Sequence, residues 1–248
     1  MMDEWKKFYR KDYAGDWEQF SQSLGGQEYH RNYQQACLSK IRESNPRKVL
    51  EVGVGRGDLL SQLSGQSIEL YGCDLSEGNL AAASARFQAL DFPVSLCHAD
   101  AENLPFRSAS FDTVYSLSVL WYLPDPAATV AEMCRVARPG GTIVFDMLNA
   151  FHVTSVGYHV SRIVNRLLGR ERGRTSLAHP REVAKWVAPY SRHYEIYGSY
   201  ILMPVGFPLL GECANWYRVT PRRAARMTAS PLRYLAHKLV VVATRGEG

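Results

Sequence analysis

No apolar stretch in this 248-residue chain approaches the roughly eighteen residues that a membrane-spanning helix needs. The opening Met1-Met2-Asp3-Glu4-Trp5-Lys6-Lys7 is too polar for a signal peptide, so a cytoplasmic location is expected. The five cysteines, at 37, 73, 97, 134 and 213, are odd in number and scattered, without a Cys-x-x-Cys pair. That pattern excludes a disulfide framework and a zinc site of the usual spacing, and no metal is expected. Cys73 and Cys97 lie in apolar runs and read as small core residues. Internal repeats and low-complexity tracts are missing as well, which removes solenoids and disordered linkers. What remains, 46% apolar and 21% charged residues, suits one soluble α/β domain with a sizeable core.

Apolar runs alternate with helical periodicity along the chain. Strands are expected near 48–53, 68–73, 94–98, 111–117, 141–147, 193–203 and 238–245, with helices near 28–44, 57–64, 77–90, 126–137 and 180–189. Ile143-Val144-Phe145 and Leu239-Val240-Val241-Val242 are continuous rather than alternating, as in a sheet covered on both faces. Pro180 suits a first helical turn. Pro139-Gly140-Gly141 reads as turn chemistry, and Asp112 as a carboxylate capping the entry to a strand.

The first expected strand ends in Glu51-Val52-Gly53-Val54-Gly55-Arg56-Gly57-Asp58, and Gly72-Cys73-Asp74 closes the next apolar run about twenty residues later. Glycines between a strand and a helix admit a ligand close to the backbone, and an acid at the neighbouring strand tip can accept from ribose hydroxyls. An adenosine-containing cofactor is therefore expected. The dinucleotide fingerprint needs Gly-x-Gly-x-x-Gly, whereas these glycines stand at 53, 55 and 57, the third one residue early. Glu51 and Asp58 surround the loop with negative charge, which suits a cationic ligand better than a diphosphate. A nicotinamide-dependent oxidoreductase and a non-catalytic cofactor-binding protein remain the alternatives of other classes. Asp58 also reads as a first-turn acid favoured by the helix dipole.

The acid-x-Gly-x-Gly-x-Gly loop resembles the first motif of the class I S-adenosylmethionine-dependent methyltransferases, of the small-molecule, quinone-methyltransferase-like type. Three further segments resemble that family in order: Tyr71 to Ser76, His98 to Phe106, and Ser110 to Leu123, followed by Arg138 to Phe145. The resemblance implies a Rossmann-like, doubly wound seven-stranded mixed sheet with the last strand antiparallel. It implies S-adenosyl-L-methionine as cofactor, leaving as S-adenosyl-L-homocysteine. On that reading Glu51, Gly53, Gly55 and Gly57 form the loop, Asp74 and Leu75 meet the ribose, Asp100 and Ala101 meet the adenine, and Leu117 lines the site. Where relatives often carry histidine after the fourth strand, this chain has Trp121-Tyr122. Both stand as substrate or cofactor contacts, or as apolar cover.

One domain, 1–248, is expected, in three functional parts. Residues 1–47 form a helical N-terminal lid, from which Tyr13 and Arg31 are candidates for the methionine carboxylate and His30 for the substrate. Residues 48–147 form the cofactor-binding core. Insertions at 148–179 and 204–237 form a substrate cap. Charge divides accordingly: residues 1–150 hold 14 Lys+Arg against 19 Asp+Glu, and residues 151–248 hold 15 against 5. Methyl transfer to O, N or C of a small, partly apolar, anionic metabolite is the expected reaction. Should a proton need removing, His152, His159 and His179 are the candidate bases, each with a surface or packing role as its alternative. Arg162, Arg166, Arg170, Arg172 and Arg174 accompany an apolar helical pattern of Val156, Val160, Ile163 and Leu167. This basic 153–174 helix suits peripheral membrane contact and hence a lipid or quinone precursor, or closure over an anionic substrate, or a solvated face. Nucleic acid is not an expected partner, because the net charge is only +5 and no nucleic-acid module is added. A monomer or homodimer is expected.

Overall fold

The computed structural model describes residues 24–63, 68–152, 154–167, 176–199 and 235–247. Seven strands form one sheet: β1 (Lys48–Val52), β2 (Glu69–Asp74), β3 (Val94–His98), β4 (Phe111–Ser116), β5 (Ala137–Leu148), β6 (His193–Ser199) and β7 (Lys238–Thr244). Their spatial order is β3-β2-β1-β4-β5-β7-β6. β1 to β5 pair in parallel, while β7 runs antiparallel to both β5 and β6. The mixed seven-stranded sheet with an antiparallel last strand is the expected one.

Successive residues of a strand point to opposite faces, and the buried residues divide along that alternation. Leu50, Val52, Val114, Ile143, Phe145 and Val241 face one way. They pack on α3 (Pro126–Val136) through Val130, Met133 and Cys134, and on α5 (Pro180–Val187) through Val183 and Val187. Val49, Tyr115, Val144 and Val240 face the other way. They meet Cys37, Leu38 and Ile41 of α1 (Leu24–Glu43) and Ala83 and Phe87 of α2 (Glu77–Ala89). Burial on both faces is why the strands read as continuous apolar runs. Ser76 caps α2 by accepting from Asn79 N–H, and Asp125 caps α3 ahead of Pro126, so both helices start where the local chemistry dictates.

Two local expectations change. The helix near 57–64 is instead a turn followed by a short 3₁₀ segment, Leu60–Leu63, because Gly57 at φ +78° cannot start an α-helix. Pro139-Gly140-Gly141 does not precede the fifth strand but lies within β5, as an irregularity across which the pairing with β4 shifts. Gly140, at φ +74°, makes that shift possible and gives its N–H to the Arg245 carbonyl. The helix expected over 153–174 is present as α4 (Thr154–Leu167) within the described residues. Asp112 does take the structural role expected of it: its carboxylate accepts from Arg47 and Lys48 N–H and pairs with Arg138 at 2.7 Å, at the amino edge of the sheet. Tyr13 and most of 204–237 lie outside the described residues.

Candidate functional site

In an open parallel sheet, ligands sit beyond the carboxyl ends of the strands where the strand order reverses. Here that place is the gap between β1 and β4. The glycine loop leaves β1 at this edge, Asp74 closes β2, Asp100 follows β3, and residues 117–123 follow β4. Because β7 is antiparallel, its amino end with Lys238 arrives at the same edge, beside Leu148 of β5.

The loop is held from β2. The carbonyl of Cys73 accepts from Gly53 and Val54 N–H at 2.8 and 2.9 Å, and Asp74 Oδ2 accepts from Gly55 N–H at 2.9 Å. Gly53 (φ +77°) has the side chain of Val119 against its α-carbon, so a methyl group there would clash. Gly55 (φ +53°) has nothing within 4 Å of the place a Cβ would occupy. The loop thus backs onto protein at Gly53 and leaves open space at Gly55, the form a cradle for a ligand takes. Asp74 Oδ1 accepts from Ser76 N–H at 2.8 Å and from Asn79 Nδ2 at a long 3.4 Å. A carboxylate offers about four acceptor directions. One direction is left open, and a second opens only if Asn79 is displaced.

Glu51 is only 3% exposed, and Tyr115 donates its hydroxyl to Glu51 Oε2 at 3.0 Å. Burial pushes the carboxyl well above its usual range and the neighbouring acids Asp58 and Asp74 raise it further, against hydrogen bonds from Tyr115 and the backbone at Leu60. A buried acid that resists ionisation becomes an anion most readily when a cation is placed beside it. The cradle therefore fits a ligand carrying an ammonium and a ribose. Asp58 pairs with Arg86 at 2.5 Å on the surface, and the first-turn role expected of it is not met, because a turn rather than a helix follows Gly57. Asp100 Oδ1 accepts from Glu102 N–H at 3.0 Å and its carbonyl from Asn103 N–H, forming a tight turn with Ala101 half-buried in it. His98 Nε2 contacts the Leu75 carbonyl at 2.9 Å, which ties the two turns together.

Beyond β4, Leu117 and Trp121 are buried and Tyr122 is half-buried, the two rings 5.5 Å apart. One face of Trp121 meets the Lys238 ammonium at 4.5 Å. That contact occupies the ring with the protein's own cation. Of the three nominated histidines, His152 is 4% exposed and close to this edge. Its ring lies 5.1 Å from that of His237, and Asn149, three residues before it, donates to the Ala236 carbonyl. His159 is exposed on α4, and His179 is exposed at the cap of α5, 4.4 Å from the Phe151 ring. His30 and Arg31 belong to α1, but their side chains are outside the described residues.

Sequence reading missed Tyr115, His237 and the buried pair Asp146 and Lys238. A signal for the pair exists in the sequence: an acid and a lysine stand within, and at the head of, two continuous apolar strands.

Residues 50–145 match a family described as "Methyltransferase domain". Over 142 residues the chain is 33% identical to a malonyl-[acyl-carrier protein] O-methyltransferase of Hahella chejuensis, covering 53% of this chain and 50% of that one. Over 146 residues it is 32% identical to a ubiquinone biosynthesis O-methyltransferase of Methylococcus capsulatus, covering 56% and 60%. The chain spans roughly half the length of these curated relatives. The fold is similar to magnesium protoporphyrin IX methyltransferase of Synechocystis, solved with bound S-adenosylhomocysteine (TM-score 0.64, 15% identity, covering 98% of this chain and 100% of that one).

Two stability predictions follow from the buried groups. Because the folded-state pKa of Glu51 is raised, ionisation costs stability as pH climbs above the unfolded value of about 4.5. Glu51→Gln is therefore expected to stabilise the ligand-free protein by about 1–2 kcal/mol at pH 7.5 and by little at pH 4, read by urea unfolding at both pH values. Burial, Lys238 and His152 push His237 down to about 3, and burial lowers His152 as well. The unfolded chain then binds more protons between pH 3 and 6.5, so stability falls as pH drops through that window. His237→Gln should flatten the decline in melting temperature between pH 6.5 and 4; an unchanged decline would contradict the assignment.

Proposed function

We propose that this chain is a class I S-adenosylmethionine-dependent methyltransferase, as its similarity to that family supports, and that it transfers a methyl group to a small, partly apolar, anionic metabolite. The observation that carries the donor half of this reading is the cradle itself, with open space at Gly55 between the buried Glu51 and the Asp74 carboxylate. When bound, S-adenosyl-L-methionine supplies a methyl group already activated on a sulfonium. Glu51 balances the ammonium, Asp74 accepts from the ribose, and Asp100 with Ala101 meets the adenine. Leu117 and Trp121 exclude water from the transfer line, which displacement at an activated methyl requires more than it requires acid or base. His152 takes the acceptor's proton where there is one to remove.

The acceptor half rests on charge. Residues 151–248, with 15 Lys+Arg against 5 Asp+Glu, follow β5 in sequence. A specific observation favours a lipid or quinone precursor within that class. Val156, Val160, Ile163, Val164 and Leu167 lie on one face of α4 and are 45–80% exposed, and arginines 162 and 166 interleave with them in sequence. An exposed apolar stripe on a helix whose sequence also carries arginines suits an anionic membrane surface. Relatives named for ubiquinone biosynthesis and for demethylmenaquinone methylation agree with such an acceptor.

Extracts incubated with the protein and an isotopically labelled methyl donor should yield label in a small anionic metabolite by untargeted mass spectrometry. Label confined to macromolecules would refute the reading. Asp74→Ala should weaken S-adenosylhomocysteine binding at least tenfold in calorimetry while the protein stays folded. Co-sedimentation with anionic phosphatidylglycerol vesicles should be lost in Ile163→Asp/Leu167→Asp, and no binding by the parent protein would exclude the membrane variant.

A further inference from the structure

Asp146 and Lys238 are opposite charges buried together, with side chains 0% and 3% exposed and 3.0 Å between Oδ2 and Nζ. Their desolvation is costly, and apolar residues of similar size would often serve stability as well or better. Such a pair invites a role other than stability. Both members reach the same residue: Asp146 Oδ1 accepts from Ser118 N–H at 2.6 Å, and Lys238 Nζ donates to Ser118 Oγ at 3.1 Å. Ser118 has φ +64°, a left-handed conformation that costs a non-glycine residue energy. Immediately after it, Val119 lies against the α-carbon of Gly53, and Trp121 lies under the lysine ammonium. A continuous chain of contacts therefore runs from the buried charges to the glycine loop.

We propose that Asp146 and Lys238 are positioning residues of the donor site: they clamp Ser118 in its left-handed conformation, so that the chain behind β4 turns Val119 onto Gly53 and closes the back of the cradle. Released, Ser118 returns to the negative φ that serine prefers. The direction of residues 119–122 changes, and the wall behind Gly53 opens. Neither charged residue needs to touch the donor. The inference rests on the donor reading given above.

The test measures S-adenosylhomocysteine affinity by calorimetry alongside the melting temperature, so it needs no knowledge of the acceptor. Asp146→Leu/Lys238→Met removes both charges together and leaves neither one orphaned in the core. It is expected to stay folded and to bind S-adenosylhomocysteine at least tenfold more weakly. Ser118→Gly added to that background supplies a residue that adopts positive φ without strain, and should restore affinity to within threefold of the parent. Ser118→Val in the otherwise native chain keeps the charge pair but opposes positive φ, and should weaken binding at least tenfold even if the charge-free variant fails to fold. Affinity within twofold of the parent in both Asp146→Leu/Lys238→Met and Ser118→Val overturns the clamp, as does a loss that Ser118→Gly does not recover. No binding by the parent chain would overturn the donor reading itself, a result distinct from either.

Discussion

The candidate site depends on β1 and β2 ending level with each other. Their parallel register runs Lys48↔Glu69 to Val52↔Cys73, so the first residues beyond β1 meet the last carbonyl and carboxylate of β2. Without that alignment Gly53, Val54 and Gly55 would lose the two acceptors, the Cys73 carbonyl and the Asp74 carboxylate, that hold the loop. The same alignment continues to β3, where Asp74 pairs with His98, and to β4, whose Ser116 hydroxyl donates to the Val52 carbonyl. Four consecutive strand tips are thus brought to one edge by backbone pairing alone. Side chains then distinguish them: an acid at β2, an acid in the turn after β3, and aromatic cover behind β4.

Among the described residues, this edge gathers groups that are electrostatically uncomfortable. Glu51 is buried against its preference for ionisation, His237 is buried against protonation, and Asp146 and Lys238 are buried as a pair. The two apolar faces of the sheet supply the compensation, with Leu50, Val114, Phe145 and Val241 on one side and Val49, Tyr115 and Val144 on the other, all fully buried. Tyr115 belongs to both accounts. Its ring fills the core beside α1 and α2, and its hydroxyl reaches Glu51. Stability and site are therefore divided between the middle and the carboxyl edge of the same strands, a division that selection tolerates when unfavourable groups bind something.

What could be read in the sequence was local. β1, β3 and β4 stand within a residue of their expected bounds because buried parallel strands are continuous apolar runs, and α2 and α3 start at Ser76 and Asp125 because capping is a local act. The loop glycines and Asp74 were legible for the same reason: each sits next to a strand end. The segment after Gly57 was not, since its acidic and apolar pattern suits a helix while the backbone at Gly57 does not. Tyr115 with Glu51 lies 64 residues apart in sequence, and Asp146 with Lys238 lies 92 apart. No spacing rule spans such distances; only the pairing of β1 with β4 and of β5 with β7 makes those residues neighbours.

The same electrostatics bear on the proposed acceptor. His237 faces both the Lys238 ammonium and the His152 ring, so a proton placed on it is opposed from two sides as well as by burial. In the proposed reaction a proton passed to His152 meets the same resistance, since burial disfavours the charged form there too. Two reluctant imidazoles make a poor base for an alcohol or an amine. An acceptor that arrives already ionised, or that ionises near neutrality, asks neither histidine to carry a full positive charge. Phenolic hydroxyls with electron-withdrawing substituents and carboxylates meet that condition, and both carry the negative charge that the basic half of the chain favours.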